Sequence, residues 1–275
     1  EESVWIKQIA TGSSVQILPP SRRGYQSLVF APDGNYLFYR EEQRGGAIFQ
    51  TPVLGGTPKK AAENVWSDFS VSPDGRQFAF IRRDLSRNAH ILVLSATDSS
   101  GERELGVRQS PLDYREAPAF SPDGRTLVVA GGVAEQLTPK LFSVDVQTGA
   151  ERELKTPQWR ALQRVLWSPS GKYLIVSARE NREASSQLWT LSYPDGEVRR
   201  LTNSLESYFW ISLSADGRKL VTRQQSLISH LWLLPEGQIK KARQITFGPG
   251  GDPVRHGAAA LVAGVRRPGP GAAHP

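Results

Sequence analysis

Cysteine and methionine are both absent from these 275 residues, and histidine is scarce at four. Without cysteine there is no disulfide framework, no thiolate metal site and no cysteine nucleophile. A chain that opens Glu1-Glu2 with no methionine anywhere reads as a piece excised from a longer protein. No apolar run reaches the roughly 18 residues that a membrane helix needs, and no signal peptide opens the sequence. What is plentiful is glycine, proline and positive charge: 25 Gly, 19 Pro and a formal net charge of +7.

The glycines and prolines are periodic. One segment recurs as Phe30-Ala31-Pro32-Asp33-Gly34, Val71-Ser72-Pro73-Asp74-Gly75, Phe120-Ser121-Pro122-Asp123-Gly124, Trp167-Ser168-Pro169-Ser170-Gly171 and Leu213-Ser214-Ala215-Asp216-Gly217. Its glycines lie 41, 49, 47 and 46 residues apart, a spacing that suits a four-stranded propeller blade and exceeds leucine-rich or ankyrin units. Proline presets the second turn position, Asp bonds the backbone two residues on, and Gly takes the positive φ that closes the hairpin. Short β-rich runs follow each turn: Tyr36-Leu37-Phe38-Tyr39, Phe78-Ala79-Phe80-Ile81, Leu127-Val128-Val129, Tyr173-Leu174-Ile175-Val176 and Leu220-Val221-Thr222. They are too apolar for amphipathic helices and suit strands buried on both faces. Third strands come next, at Ile48-Phe49, Ile91-Leu92-Val93-Leu94, Leu141-Phe142-Ser143-Val144, Leu188-Trp189-Thr190-Leu191 and Leu231-Trp232-Leu233-Leu234, and polar fourth strands such as Glu151-Arg152-Glu153-Leu154 close the units.

The expected fold is therefore all-β: a β-propeller of four-stranded antiparallel blades, five complete from about Tyr25 to Phe247, with an N-terminal half-blade, about six in all. Lys59, Lys60, Arg152, Arg199, Arg200, Lys240 and Lys241 fall on the outermost strands, where charge blunts an exposed edge. Most of the basic balance reads as this device, and nucleic acid is not expected as a partner. Residues 248–275 break the pattern, since 18 of these 28 are Gly, Pro or Ala. They read as a disordered tail or as sixth-blade sequence in a shifted frame. If Leu261-Val262-Ala263 were coded CTG-GTC-GCC, the frame one nucleotide on would read Trp-Ser-Pro. The propeller is thus expected over residues 1–247.

These turns, with Arg199-Arg200-Leu201-Thr202 and Arg243-Gln244-Ile245-Thr246 as fourth strands, resemble the TolB-type, WD40-like propeller family over about residues 3–247. More narrowly, Ser3-Val4-Trp5-Ile6-Lys7-Gln8-Ile9-Ala10-Thr11-Gly12, Val15-Gln16-Ile17-Leu18-Pro19-Pro20 and Phe30-Ala31-Pro32-Asp33-Gly34-Asn35-Tyr36 are similar to the C-terminal propellers of bacterial receptor-type serine/threonine kinases. That resemblance implies an extracytoplasmic, periplasmic-side sensor or interaction module of a membrane-anchored parent, this segment itself not touching the membrane. Two alternatives stay open: the accessory propeller of a prolyl-oligopeptidase-type serine peptidase, and a TolB-like periplasmic interaction protein. A protein or peptide ligand is expected in each case.

Catalytic machinery is not expected. No Gly-x-Ser-x-Gly elbow occurs, no His or carboxylate cluster has metal-ligand spacing, and no cofactor motif is present. His90 and His230 stand at the starts of third strands, and Gly45-Gly46, Gly55-Gly56 and Gly131-Gly132 read as hairpin connections. One pattern points to binding. An aromatic recurs where the chain enters each first strand, at Tyr25, Trp66, Tyr114, Trp159 and Tyr208, with Arg23, Asp68, Arg115, Glu116 and Arg160 beside them. Tyr25, Trp66, Tyr114, Arg115, Trp159 and Tyr208 form a candidate partner-binding face, since aromatics with Arg make good anchors. The competing reading is that the rings wedge between neighbouring blades.

Overall fold

A computed structural model describes residues 1–41, 45–136, 138–226, 230, 232–235, 238 and 242–245. The chain divides into two units, 1–225 and 226–275. The first begins with an antiparallel pair, β1 (Glu2–Lys7) and β2 (Ser14–Ser21). Four complete four-stranded sheets follow. Blade one holds β3 (Tyr25–Phe30), β4 (Tyr36–Glu41), β5 (Ala47–Pro52) and β6 (Lys59–Glu63). Blade two holds β7 (Phe69–Val71), β8 (Gln77–Asp84), β9 (Ala89–Ala96) and β10 (Glu102–Gln109). Blade three comprises β11 (Leu112–Phe120), β12 (Thr126–Val133), β13 (Lys140–Asp145) and β14 (Glu151–Glu153). Blade four comprises β15 (Ala161–Trp167), β16 (Tyr173–Arg179), β17 (Gln187–Ser192) and β18 (Val198–Arg200). A last pair, β19 (Ser207–Leu213) with β20 (Leu220–Gln225), ends the unit. All pairings are antiparallel between sequence neighbours, as in a propeller.

In the second unit β21 (Trp232–Leu233) pairs with β22 (Arg243–Gln244). The fifth repeat thus straddles the division, and among the described residues no third strand pairs with β20. Val221, in a run expected to be buried, is 67% exposed. The tail from 248 onward and the charged pair Lys240-Lys241 lie outside the described residues. Among the described residues no helix is long and apolar enough to cross a membrane.

The recurring turn works as its residues suggest, with one addition. In blade two the Asp74 carboxylate accepts the Arg76 N–H at 3.1 Å, the bond that a turn aspartate makes. Ser72 then links turn to strand: its hydroxyl donates to Asp74 at 2.5 Å and accepts the Gln77 N–H at 2.9 Å. Ser121 with Asp123 and Ser214 with Asp216 repeat both contacts. Where Ser170 replaces the aspartate, the same geometry survives with longer bonds, 3.1 and 3.3 Å. Each turn also nests against its predecessor. A Cβ added to Gly75, Gly124, Gly171 or Gly217 would point at Pro32, Pro73, Pro122 or Pro169 of the preceding blade.

Second strands are buried as expected: Phe78, Ala79, Phe80 and Ile81 are wholly inaccessible, as are Leu127, Val128 and Val129. The apolar clusters run between sheets, one joining blade one to two, one joining two to three and one joining three to four. Burying such surfaces between blades is the main favourable term holding the stack together. Lys59, Lys60, Arg152, Arg199 and Arg200 are exposed on outer strands, as predicted. Gly131-Gly132 is a correction: the pair lies inside β12, not in a hairpin connection. A Cβ at Gly131 would come within 2.4 Å of the Arg108 guanidinium and 2.6 Å of the Asp113 carbonyl, so glycine makes room for a buried side chain. His90 is the second residue of β9, whereas His230 belongs to no strand.

Candidate functional site

First strands neighbour one another in succession, β3 beside β7, β7 beside β11, β11 beside β15 and β15 beside β19. They make the inner wall of the unit. Four of the five are interrupted midway by a register shift: between Gln26 and Val29, Arg115 and Ala119, Leu162 and Arg164, and Phe209 and Ser212. At three of these, Ser27, Glu116 and Trp210 adopt positive φ of 52°, 57° and 43°. A bulge re-aims the side chain that it carries, here away from the regular pleat.

Two side chains carried on these interruptions, Ser27 and Arg164, meet at Asp68. Ser27 of blade one donates its hydroxyl hydrogen to Asp68 Oδ1, and Arg164 Nη1 of blade four donates to Asp68 Oδ2 at 3.3 Å. Asp68 precedes β7 of blade two and is steadied by Ser67, whose hydroxyl donates to the Asp68 carbonyl and accepts the Ile81 N–H. An ion pair between blades two and four, skipping blade three, requires the inner strands to curve around a narrow axis. Glu116 of blade three borders the same cluster. It keeps accessible surface, yet it sits among enough protein that its carboxyl is pushed up to about 7, first by burial and then by the Asp68 charge, with Arg164 and Arg115 opposing. Burial also lowers the Arg164 guanidinium from its usual value, against the pull of Asp68 and Glu116.

The recurring aromatics take different places. Tyr114 and Trp159 are 1% and 0% exposed, which removes both from the candidate face and makes them wedges between blades. Tyr114 packs among Ile81, Leu92, Leu105 and Leu127, and its hydroxyl donates to Glu151 of its own blade. Arg108, stacked over Tyr114 and Phe142, completes this lock with a 2.7 Å bond to Glu151. Trp159 packs with Val128, Leu141 and Leu154 of blade three and with Leu162, Val165 and Trp189 of blade four. Tyr25 is half-buried, edge-on to Tyr39, and donates to the Pro19 carbonyl. Tyr208 is half-buried against Ile175, Leu188 and Ile211. Arg115 is committed internally: its guanidinium donates to Asp113 and to the carbonyls of Val133 and Gln136. Only Trp66 presents much of its ring, 46% exposed and stacked on His90 at 5.3 Å. Burial lowers the His90 pKa, opposed by Asp113 and reinforced by Arg83 and Arg115.

Asp68 and Glu116, flanking residues in the sequence pattern, are thus the chemically suited members, and Arg164 and Ser27 join them unannounced. The signal that would have found these two is the offset from the motif glycine: Ser27, Asp68 and Arg164 all lie seven residues before it. Among the described residues no group of three or more His, Asp or Glu is arranged to hold a metal ion. A groove of about 660 Å³ on the outer strands of blades three and four, lined in part by Lys140, Glu153, Lys155, Pro157 and Val198, shares no residue with the inner cluster.

No protein-family profile matches the chain. Among curated proteins it is similar to dipeptidyl-peptidase 5 of Porphyromonas gingivalis, 27% identical over 178 residues that make up 60% of this chain and 25% of that protein. It is also similar to the uncharacterized peptidase YuxL of Bacillus subtilis, 28% identical over 202 residues, 70% of this chain and 28% of that one. The chain spans about a quarter of the length of either relative. Among solved structures, a protein assigned as TolB from Agrobacterium tumefaciens superposes with a TM-score of 0.68 at 21% identity, over 84% of this chain and 81% of that one. The fold is a TolB-like β-propeller.

Proposed function

We propose that the chain is a non-catalytic binding module of a larger protein and that it receives a protein or peptide ligand at the inner-strand cluster. The observation that carries this reading is the meeting of Ser27, Asp68 and Arg164, drawn from three blades, at the first strands. Ser27, Asp68 and Arg164 belong to none of the apolar clusters that join the blades. We read the chain as an extracytoplasmic module of a membrane-anchored kinase on the resemblance of residues 3–12, 15–20 and 30–36 to receptor-kinase propellers, which none of the relatives named above shares. The second reading, the accessory propeller of a serine peptidase, is favoured by the two peptidase relatives, each of which extends far beyond the matched region. Flanking coding sequence separates them: a kinase domain with a membrane helix selects the first, an α/β-hydrolase domain the second.

The binding role is tested with a phage-displayed library of random dodecapeptides selected on the 275-residue chain. Selected clones should lose at least about tenfold in affinity for Arg164→Met, since the variant leaves Asp68 without its counter-ion, and none for Lys140→Ala on the outer strands. Clones that ignore Arg164→Met and depend on Lys140, or a selection that enriches nothing, would overturn the proposal.

A further inference from the structure

We infer that Arg164 anchors the ligand of the inner-strand cluster by taking a carboxylate, from an acidic side chain or a C-terminus, on the free edge of its guanidinium. This deepens the binding role proposed above and rests on it. Arg164 is placed by an irregularity of β15. Leu162 and Val165 on either side of it are buried in the core that joins blades three and four, and the register of β15 on β16 shifts between Leu162 and Arg164. The Arg164 side chain belongs to no apolar cluster and reaches Asp68 instead, where Nη1 donates to Oδ2 at 3.3 Å. At the same offset from its motif glycine blade three has Ala117, whose side chain offers Arg164 no acceptor.

That bond is the only one the described residues give a guanidinium whose side chain is just 16% exposed. An arginine carries several more N–H donors, held in a rigid fork. The unbonded Nε and Nη2 of Arg164 are not among the buried nitrogens that lack a partner, a condition that Arg40 Nε and Arg179 Nε do meet, so both keep accessible surface. Nε–H and Nη2–H lie parallel along one edge and match the two oxygens of a carboxylate. Asp68 does not fill that edge, because its oxygens are engaged by Ser27 and by Nη1. Glu116 does not fill it either, being exposed and without a described bond to Arg164. Burial lowers the Arg164 pKa against the pull of Asp68 and Glu116, as expected of a cation that is incompletely compensated.

What remains unspent selects the ligand group: N–H donors and positive charge on Arg164. A cationic group would face Arg164 with both oxygens of Asp68 already taken. A carbonyl or hydroxyl would accept a single N–H and add no compensating charge. A carboxylate accepts both N–H groups in one plane and leaves the bond to Asp68 in place, so that one guanidinium bridges two carboxylates. It also supplies the opposite charge that a poorly solvated cation is costly to lack. Arg115 is no rival for it, since its N–H groups go to Asp113 and to the carbonyls of Val133 and Gln136.

The test is an NMR titration of the 275-residue chain that follows arginine Nε–H signals, that of Arg164 being the one lost in Arg164→Lys. The probes are acetylated pentapeptides: Ala-Ala-Glu-Ala-Ala amide, the Gln and Lys versions of it, and penta-alanine with a free C-terminus. The Glu peptide or the free C-terminus should shift the Arg164 signal and bind at least about tenfold more tightly than the Gln peptide, as a bidentate charge-assisted contact requires. Whichever of the two is tighter identifies the source of the carboxylate. Arg164→Lys keeps a cation for Asp68 but loses the fork, and should reduce that peptide to the level of Gln. Equal binding by the Gln peptide, tighter binding by Lys, or carboxylate binding that leaves the Arg164 signal unmoved overturns the inference while the binding role stands. Silence from every peptide at millimolar concentration also overturns it, and the phage selection then judges the binding role by itself.

Discussion

Trp159 offers the sharpest test of how the blades are held together. Its side chain is wholly buried between blades three and four, tilted 54° to Trp189 with ring centroids 6.1 Å apart. Its indole nitrogen is buried too and meets no hydrogen-bond acceptor among the described residues. Trp159→Ala removes the whole wedge and should cost about 3–5 kcal/mol, the range for truncating a buried aromatic in a packed core. Trp159→Phe separates the two roles of the ring. It forfeits about a third of the buried surface, about 1–2 kcal/mol at the usual area coefficient. It also removes a buried donor whose lack of a partner costs about 1–3 kcal/mol. The two nearly cancel, so the Phe variant should lie within about 1 kcal/mol of wild type. Urea denaturation followed by far-ultraviolet circular dichroism reads both variants from their midpoints at a common slope. A Phe variant as unstable as the Ala variant would refute the reasoning, because it would mean that the N–H is satisfied and the wedge depends on it.

Two further outcomes follow from single contacts. Gly149→Ala and Gly171→Ala both place a side chain at positive φ, 75° and 68°, so each bears a backbone cost of about 1 kcal/mol or more. Only at Gly149 does the new Cβ meet rigid backbone, the Leu105 carbonyl at 2.4 Å, whereas Gly171 leaves 3.9 Å to Pro122. Thermal melting should rank Gly149→Ala well below Gly171→Ala; equal melting would show the interblade backbone to be compliant. Glu116 should impose a pH slope on stability. Its carboxyl is held at about 7 against an ordinary 4.5, so between those values the folded chain keeps a proton that the unfolded chain releases, and stability falls as pH rises. Glu116→Gln should flatten that limb and be more stable than wild type at pH 8, measured by denaturation across the range; a variant less stable there would show that the ionised carboxylate has a partner.

The fold was legible because its repeat is written in residues with few alternatives. Pro, Asp and Gly in that order, intact in three copies and altered at one position in Pro169-Ser170-Gly171 and Ala215-Asp216-Gly217, specify a turn by their own backbone chemistry, and the blade-sized interval leaves little else for the intervening apolar runs to do. Strands β4, β8, β12 and β16 accordingly fall where those runs are. Ser72, Ser121 and Ser214 were less legible, since a serine's bonds to a turn and to the next strand depend on where the hairpin closes. Gly131 was misread for a related reason: glycine at a loop and glycine beside a buried guanidinium look alike until Arg108 is placed.

The candidate site was half legible, and the missing half shows what a linear pattern cannot carry. An aromatic near the entry to a first strand serves as an interblade wedge at Tyr114 and Trp159, so recurrence there measured packing and not exposure. The proposed recognition site is built instead from residues that do not recur. At the offset of seven the chain places Ser27, Asp68, Arg164 and Trp210, four different chemistries at one structural position. A repeat detector discards such a column as noise, yet in a ring the positions that pack must be alike and the positions that bind must differ. The bulges at Ser27, Glu116 and Trp210 add backbone conformations that such side chains adopt only at a cost, which the repeat could have avoided with glycine. Difference at a repeated position, combined with local backbone strain, is therefore the better guide to function in a chain of this kind.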